Sequence, residues 1–169
     1  MVPLPPGVPL PAQRLLTDVP PPFTVRCEIH PRFRDTDAMG HINNAVYVTY
    51  LEVARQEYWR RFDGADYRRV PFILASVSCD FRSEAQVSEV LEVGIRCEWI
   101  GDKSFAFSYE VRERDTRRLV AEATSIQVCY DYEAKRSIRM PEELRRALES
   151  FEGRSLARTA EGRSHEARR

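Results

Sequence analysis

Residues Phe33 to Phe62 read FRDTDAMGHINNAVYVTYLEVARQEYWRRF, and the rest of the chain is organised around this stretch. A polar loop bearing Asp35, Asp37, His41, Asn43 and Asn44 runs directly into a segment where Tyr47, Leu51, Ala54, Tyr58 and Phe62 recur every three or four residues. That spacing puts their side chains on one face of an α-helix, predicted over Asn44–Phe62. Either Asn43 or Asn44 can cap its start, because a short side-chain oxygen accepts from the first backbone N–H groups, which have no partner inside the helix. The loop therefore ends where free amides and the positive end of a helix dipole converge, a place that favours a developing negative charge.

Outside this stretch the period falls to two. Upstream, Val25, Cys27, Ile29 and Phe33 alternate with other residues, which predicts a strand over Thr24–Phe33 interrupted by Pro31. Gly64 suits a helix stop, and Asp63 to Pro71 form a polar connection. Three further runs alternate: Ala75, Val77, Cys79, Phe81; Leu91, Val93, Ile95, Cys97, Trp99; and Phe105, Phe107, Tyr109, Val111. The run Leu119 to Tyr130 is less one-sided, since Val120, Ile126 and Val128 take the other parity, which suits deeper burial or an interface.

The order is strand, long helix, then four strands with short turns. This is an α+β arrangement, an antiparallel sheet packed on one helix, rather than alternating parallel units. One helix does not easily cover five strands, so the uncovered surface calls for dimerisation or for a covering arm from the N-terminus.

The ends differ in character. Residues 1–23 are proline-rich and predict an extended, mostly flexible arm, within which Leu10 to Val19 can pack against the domain or a partner. The domain spans 24–140, and a short helix is expected over 141–153, opened by Pro141-Glu142-Glu143 with Leu144, Leu148 and Phe151 as its apolar stripe. The arginine-rich residues 154–169 lack periodicity and are expected to be frayed or disordered.

Lys+Arg and Asp+Glu are both 26, so net charge gives no argument for nucleic acid or an anionic membrane. No apolar run reaches the length of a membrane span, and the opening VPLPPGVPLP lacks the pattern of a signal peptide. Cys27, Cys79, Cys97 and Cys129 lie far apart, each in a predicted strand, as small core hydrophobes do; a reducing, cytoplasmic setting fits them. No HxH, HExxH or clustered Cys/His signals a metal site, and no G-x-S-x-G signals a serine hydrolase of the α/β class.

Asp37 is the foremost catalytic candidate, with Asp35 second. A carboxylate beside a helix start can activate water or attack an acyl carbonyl, while amides around Asn44 polarise that carbonyl. Against this stands the ordinary use of Asp as a turn cap or an arginine partner. His41 suits either a loop hydrogen bond or acid–base work. Asn43 and Asn44 read first as cap and loop staple. Glu52 and Arg55 are three apart and can pair on the helix surface or at an interface. Arg82, Arg96 and Lys103 can meet phosphate, Ser83 and Ser104 can donate hydrogen bonds to a ligand, and Glu84 and Glu89 read as surface charge.

The segment Arg34-Asp-Thr-Asp-Ala-Met-Gly-His-Ile-Asn-Asn-Ala-Val-Tyr, followed by Tyr50-Leu-Glu-Val-Ala-Arg, resembles the hotdog-fold acyl-CoA thioesterases, specifically the 4-hydroxybenzoyl-CoA-thioesterase-like group. The likeness extends through the order of elements from about Thr24 to Met140 and leaves out both ends of the chain. It implies a curved antiparallel sheet wrapped around the central helix and a homodimer with substrate near the subunit interface; sheet-to-sheet packing can join such dimers into a homotetramer. It also implies hydrolysis of an acyl-CoA thioester without metal or redox cofactor. In one branch the second Asp of this loop is the catalytic carboxylate, which falls on Asp37; the helix-start amide that polarises the thioester carbonyl falls on Asn44. Other members carry histidine where Asn44 stands, so Asn44 is expected to hold substrate or water. Whether Asp37 is nucleophile or general base stays open.

The expected site is thus Asp37, Asn44 and His41 for catalysis, with Asn43, Ala45, Tyr47, Arg82, Ser83 and Ser104 for substrate, and with N–H groups of Asn43–Ala45 holding the oxyanion. Coenzyme A or an acyl carrier protein can present the thioester. Two alternatives remain: an acyl-thioester dehydratase or hydratase on the same fold, and a non-catalytic acyl-CoA or acyl-carrier binding protein.

Overall fold

A computed structural model of the chain describes residues 22–63 and 71–158. Strand β1 (Val25–Ile29) leads through a short 3-10 turn (Phe33–Asp35) into helix α1 (Asn44–Asp63). Strands β2 (Phe72–Phe81), β3 (Leu91–Ile100), β4 (Ser104–Glu113) and β5 (Leu119–Asp131) follow, then a two-residue strand β6 (Arg136–Ser137) and helix α2 (Glu142–Glu152). The sheet order is β1-β3-β4-β5-β2; among the described residues these strands all pair antiparallel and β6 pairs only with the end of β5. Because β1 and β2 lie at opposite edges, α1 connects one edge to the other while packing on the sheet's apolar face.

The helix buries the expected stripe: Tyr47, Leu51, Ala54 and Tyr58 are inaccessible and Phe62 is half-buried. Tyr50 and Trp59 widen that stripe. The Tyr58 ring meets Phe107 at 4.7 Å and Phe151 at 5.2 Å, edge to face, contacts worth roughly 0.5–1.5 kcal/mol each beyond their burial. Opposite the helix stand Leu91, Val93 and Ile95 of β3, Phe105, Phe107 and Val111 of β4, and Ala121, Ala123 and Cys129 of β5. All four cysteines are free thiols, and burial pushes Cys27 and Cys129 up to about 11.

Several expectations are corrected. Phe33 does not extend the first strand; it sits in the 3-10 turn and is 85% exposed. Bulges break the simple alternation twice. The register slips between Leu74 and Ser76, which leaves Ala75 exposed, and between Cys97 and Trp99, after which Ile100 rather than Trp99 is buried. An inserted residue reverses the parity of everything beyond it. On β5 the inward positions include Ser125 and Gln127, while Ile126 and Val128 are half-buried on the other face. Arg55 is no surface residue: its side chain is 3% exposed, paired with Glu52 and donating to the Tyr109 hydroxyl at 3.1 Å.

The segment after α2 is not frayed along its whole length. Gly153 ends the helix at φ 66°, and Arg154 to Arg158 then run along β3 where β1 stops short. The last β1 pair is Val25 with Ile95. Beyond it, Glu152 accepts the Cys97 N–H at 2.6 Å, Arg154 donates to the Cys97 carbonyl at 2.6 Å, and the Ile100 N–H donates to the Leu156 carbonyl at 2.7 Å. Leu156 is buried. The N-terminal arm up to residue 21, Gly64 and most of the 63–71 connection, and the tail from 159 lie outside the described residues. Among the described residues no helix is long and apolar enough to cross a membrane.

Candidate active site

The loop 36–43 is held by its own backbone. The Asp37 N–H donates to the His41 carbonyl at 2.8 Å, the Gly40 N–H to the Asp37 carbonyl at 3.1 Å, and the Asn43 N–H to the Asp35 carbonyl at 2.9 Å. Gly40 adopts φ 83°, a left-handed conformation that costs a side-chain-bearing residue. Asp35, buried at 3% exposure, anchors the loop from beneath. Its carboxylate accepts the Arg32 N–H at 2.9 Å, the Arg32 guanidinium at 3.2 Å and the Tyr50 hydroxyl at 3.0 Å. Burial pushes its pKa up, but these donors outweigh burial and the net direction is down. With its acceptor sites filled this way, Asp35 is a structural carboxylate.

Asp37 is different. Its Oδ1 accepts the Met39 N–H at 2.8 Å and the His41 N–H at 3.4 Å. Those bonds fix the carboxylate in an Asx turn. Its Oδ2 has no protein donor among the described residues. The side chain is exposed on the loop directly ahead of α1.

At the helix start, Asn43 is the cap. Its Oδ1 accepts the Ala45 N–H at 2.9 Å, and its carbonyl accepts the Val46 N–H at 2.9 Å. This corrects the expected set of oxyanion amides. The Asn43 N–H is spent on Asp35 and the Ala45 N–H on the cap; of the three, the Asn44 N–H alone lacks a protein partner among the described residues. It stands at the N-terminal end of a 20-residue helix, where the dipole favours negative charge.

Asp37, His41, Ile42, Asn44, Tyr47, Phe81, Arg82, Ser83 and Glu84 surround one cavity of about 300 Å³. Tyr47 and Phe81 form an aromatic wall, their rings edge to face at 5.1 Å, and burial pushes the Tyr47 hydroxyl up to about 12. Arg82 pairs with Glu122 at 2.9 Å, and Ser83 is fixed by donating to the Leu119 carbonyl at 2.7 Å and accepting from Arg118 at 2.7 Å. Asn43 and Ala45 do not line the cavity. Ser104 is remote: it pairs with Val128, whereas Phe81 pairs with Ala121, a separation along β5 of roughly 20 Å.

Ile42, Phe81 and Glu84 complete the cavity beyond the expected residues. Glu84, read from sequence as surface charge, has its Oε2 at 3.2 Å from His41 Nε2. No local pattern marks it, because the contact depends on the Ile42 N–H donating to the Ala85 carbonyl at 2.8 Å, which docks one loop on the other.

Comparison with known proteins agrees with this architecture. The model of the thioesterase-like superfamily matches residues 31–148. The long-chain acyl-CoA thioesterase FadM of Escherichia coli K12 is 25% identical over 130 residues, covering 75% of this chain and 98% of that protein. The acyl-CoA thioester hydrolase YbgC of Escherichia coli O6:H1 is 26% identical over 103 residues, covering 59% of this chain and 76% of that one. The solved structure of a thioesterase from Thermus thermophilus, complexed with coenzyme A and Zn, superposes with a TM-score of 0.72 at 29% identity, covering 79% of this chain and 98% of that one. Here, among the described residues, no three His, Cys, Asp or Glu side chains converge as metal ligands. Sheet order, central helix and these matches agree: the chain has the hotdog fold and belongs to the thioesterase-like superfamily.

Proposed function

We propose that this protein hydrolyses acyl-CoA thioesters to a carboxylic acid and coenzyme A. The observation that carries the reading is the sharing of one cavity by Asp37 and Asn44, with the Asp37 Oδ2 and the Asn44 N–H meeting no protein partner among the described residues. A thioester carbonyl oxygen held by the Asn44 amide leaves its carbon open to attack by Asp37 itself or by a water that gives Asp37 its proton. The C–S bond then breaks and the thiolate leaves with the electron pair; thiols ionise far more readily than amines, so departure needs little assistance. Carboxylate and amide suffice for these steps. The names of the relatives FadM and YbgC point to the same reaction class.

A homodimer belongs to this reading. Among the described residues β2 pairs only with β5, which leaves its other edge unpaired there; β2 carries the exposed Leu74 and Phe81, while α1 exposes Val48 and Val53.

The test is coenzyme A release, followed by chromatography, from short, medium, long and aromatic acyl-CoAs by wild type and Asp37→Asn. Selective turnover that falls about 10²- to 10⁴-fold in the variant, with folding and oligomer size retained, is expected. Absence of turnover by the wild type across the panel sinks the coenzyme A assignment and directs attention to acyl carrier protein substrates or to ligand binding.

A further inference from the structure

His41 and Glu84 come from loops more than forty residues apart in sequence, yet His41 Nε2 lies 3.2 Å from Glu84 Oε2 and both line the cavity that holds Asp37. Neither group is there by chance of a mobile surface. The His41 backbone is tied to Asp37 in both directions, its carbonyl accepting the Asp37 N–H and its own N–H donating to Asp37 Oδ1. The Glu84 backbone is held equally firmly. The Arg82 and Ser83 N–H groups both donate to the Val120 carbonyl, Arg118 donates to the Glu84 carbonyl, and the neighbouring Ala85 is buried and bonded to Ile42. Arg118 is fixed in turn by Glu89 at 2.6 Å. The Glu84 carboxylate itself is 63% exposed and is not needed for packing.

We infer that Glu84 is the positioning residue of this site, acting through His41. This rests on the hydrolase reading above and specifies how its nucleophile is prepared. A carboxylate is only an acceptor, so of the two ring nitrogens the Nε2 lying 3.2 Å from it is the one whose protonation the pair favours. In the neutral ring this leaves the Nδ1 lone pair as the ring's acceptor, on a residue that lines the cavity. A water attacking the thioester then has two acceptors, His41 Nδ1 and Asp37 Oδ2. One water proton is held by the imidazole while the other passes to Asp37 as the oxygen adds to the carbonyl carbon. Collapse breaks the C–S bond, and the proton on Asp37 goes to the departing thiolate, so atoms and charge balance. Without Glu84 the imidazole loses the contact that fixes its orientation, and the water loses a fixed acceptor. Partners that orient a reacting group in this way are worth about 10- to 100-fold when the group is a metal ligand, and a similar scale applies to an oriented base.

The experiment combines turnover with a ring signature, using the full chain. Glu84→Ala is expected to lower kcat about tenfold with KM within about twofold, because the pair touches the water and not the bound substrate. Glu84→Gln keeps an acceptor oxygen and should restore part of the loss. In a His41→Ala background, adding Glu84→Ala should cost less than about twofold further, as expected for residues acting through one another. In parallel, the His41 ring proton resonances should move in Glu84→Ala while those of His30 stay. Additive losses, a loss confined to KM, or an unmoved His41 ring with active wild type each overturn the inference while leaving hydrolysis intact. A moved ring in a protein whose wild type turns over no thioester overturns the catalytic role together with the hydrolase reading, and leaves only a structural contact.

Discussion

The Tyr50 hydroxyl donates to Asp35 Oδ2 across 3.0 Å, fastening the second turn of α1 to the loop that precedes it. Since the Asp35 carbonyl also accepts the Asn43 N–H, one residue sets both the height of the loop and the entry angle of the helix. Asp37 and the Asn44 amide are the two ends of what it holds.

Tyr50→Phe should therefore cost about 2 kcal/mol, the range for a hydrogen bond to a charged group in a buried setting. The pH dependence has a definite sign. The folded-state pKa of Asp35 is depressed, so the folded protein binds fewer protons there than the unfolded chain. The stabilisation is complete above the unfolded value of about 4 and is lost as pH falls through the folded value. Asp35→Asn should lower stability near pH 7 and narrow the difference between unfolding midpoints measured near pH 7 and near pH 3. An unchanged difference would show that Asp35 is not the group responsible.

Asn44 offers a test that separates its backbone from its side chain. It is the first residue of α1, a position where proline is tolerated because the missing N–H has no intrahelical partner. Asn44→Pro removes the free amide with little expected change in melting temperature, and should lower kcat about 10²- to 10³-fold if that amide holds the oxyanion. Asn44→Ala removes the side chain and keeps the amide, and should cost less than about tenfold. Equal losses would assign the role to the side chain.

The C-terminal segment is predicted to be an integral part of the fold. Leu156→Ala should cost about 2–4 kcal/mol, the scale for a buried leucine. Glu152→Ala leaves the Cys97 N–H and the Tyr58 hydroxyl, each 2.6 Å from Glu152 Oε1, without their acceptor, for roughly 1–3 kcal/mol more. Thermal unfolding of the two variants reads both; melting temperatures matching wild type would show that this strap is dispensable.

This strap also shows where the sequence stops being legible. The helix face from Tyr47 to Phe62 was readable because five side chains repeat at one period, and the strands were readable wherever alternation ran unbroken. Leu156 is a lone large apolar residue in an arginine-rich run, and its burial follows from β1 ending at Ile95's partner, a fact about register that no local window contains. Plain alternation puts Trp99 and Ala75 on the wrong face for a related reason, since a bulge shifts parity without a residue type that announces it. Asp37 and Asn44 stand in one contiguous motif, and the fold brings both to one cavity. No such motif marks Glu84, because its meeting with His41 is made by two loops that only the folded sheet brings together.

The polar line beneath α1 gives the last prediction. Arg55 donates to the Tyr109 hydroxyl at 3.1 Å, that hydroxyl shares a hydrogen bond of 2.7 Å with Ser125, and Gln127 donates to Ser125 at 2.6 Å. Breaking a fully buried ion pair typically costs about 3–5 kcal/mol, because a bare charge is left inside. Here the partner carboxylate Glu52 is 43% exposed, so water receives it when Arg55 is removed. Arg55→Met, which refills most of the volume, should then cost only about 1 kcal/mol, and Arg55→Ala about 2–3 kcal/mol through the cavity it leaves. Tyr109→Phe strips the shared hydroxyl and should cost more in the wild-type background than in Arg55→Met, since in the latter no guanidinium is left searching for an acceptor. Urea unfolding of the single and double variants measures that difference, and strict additivity would show that Arg55 and Tyr109 pack side by side without coupling.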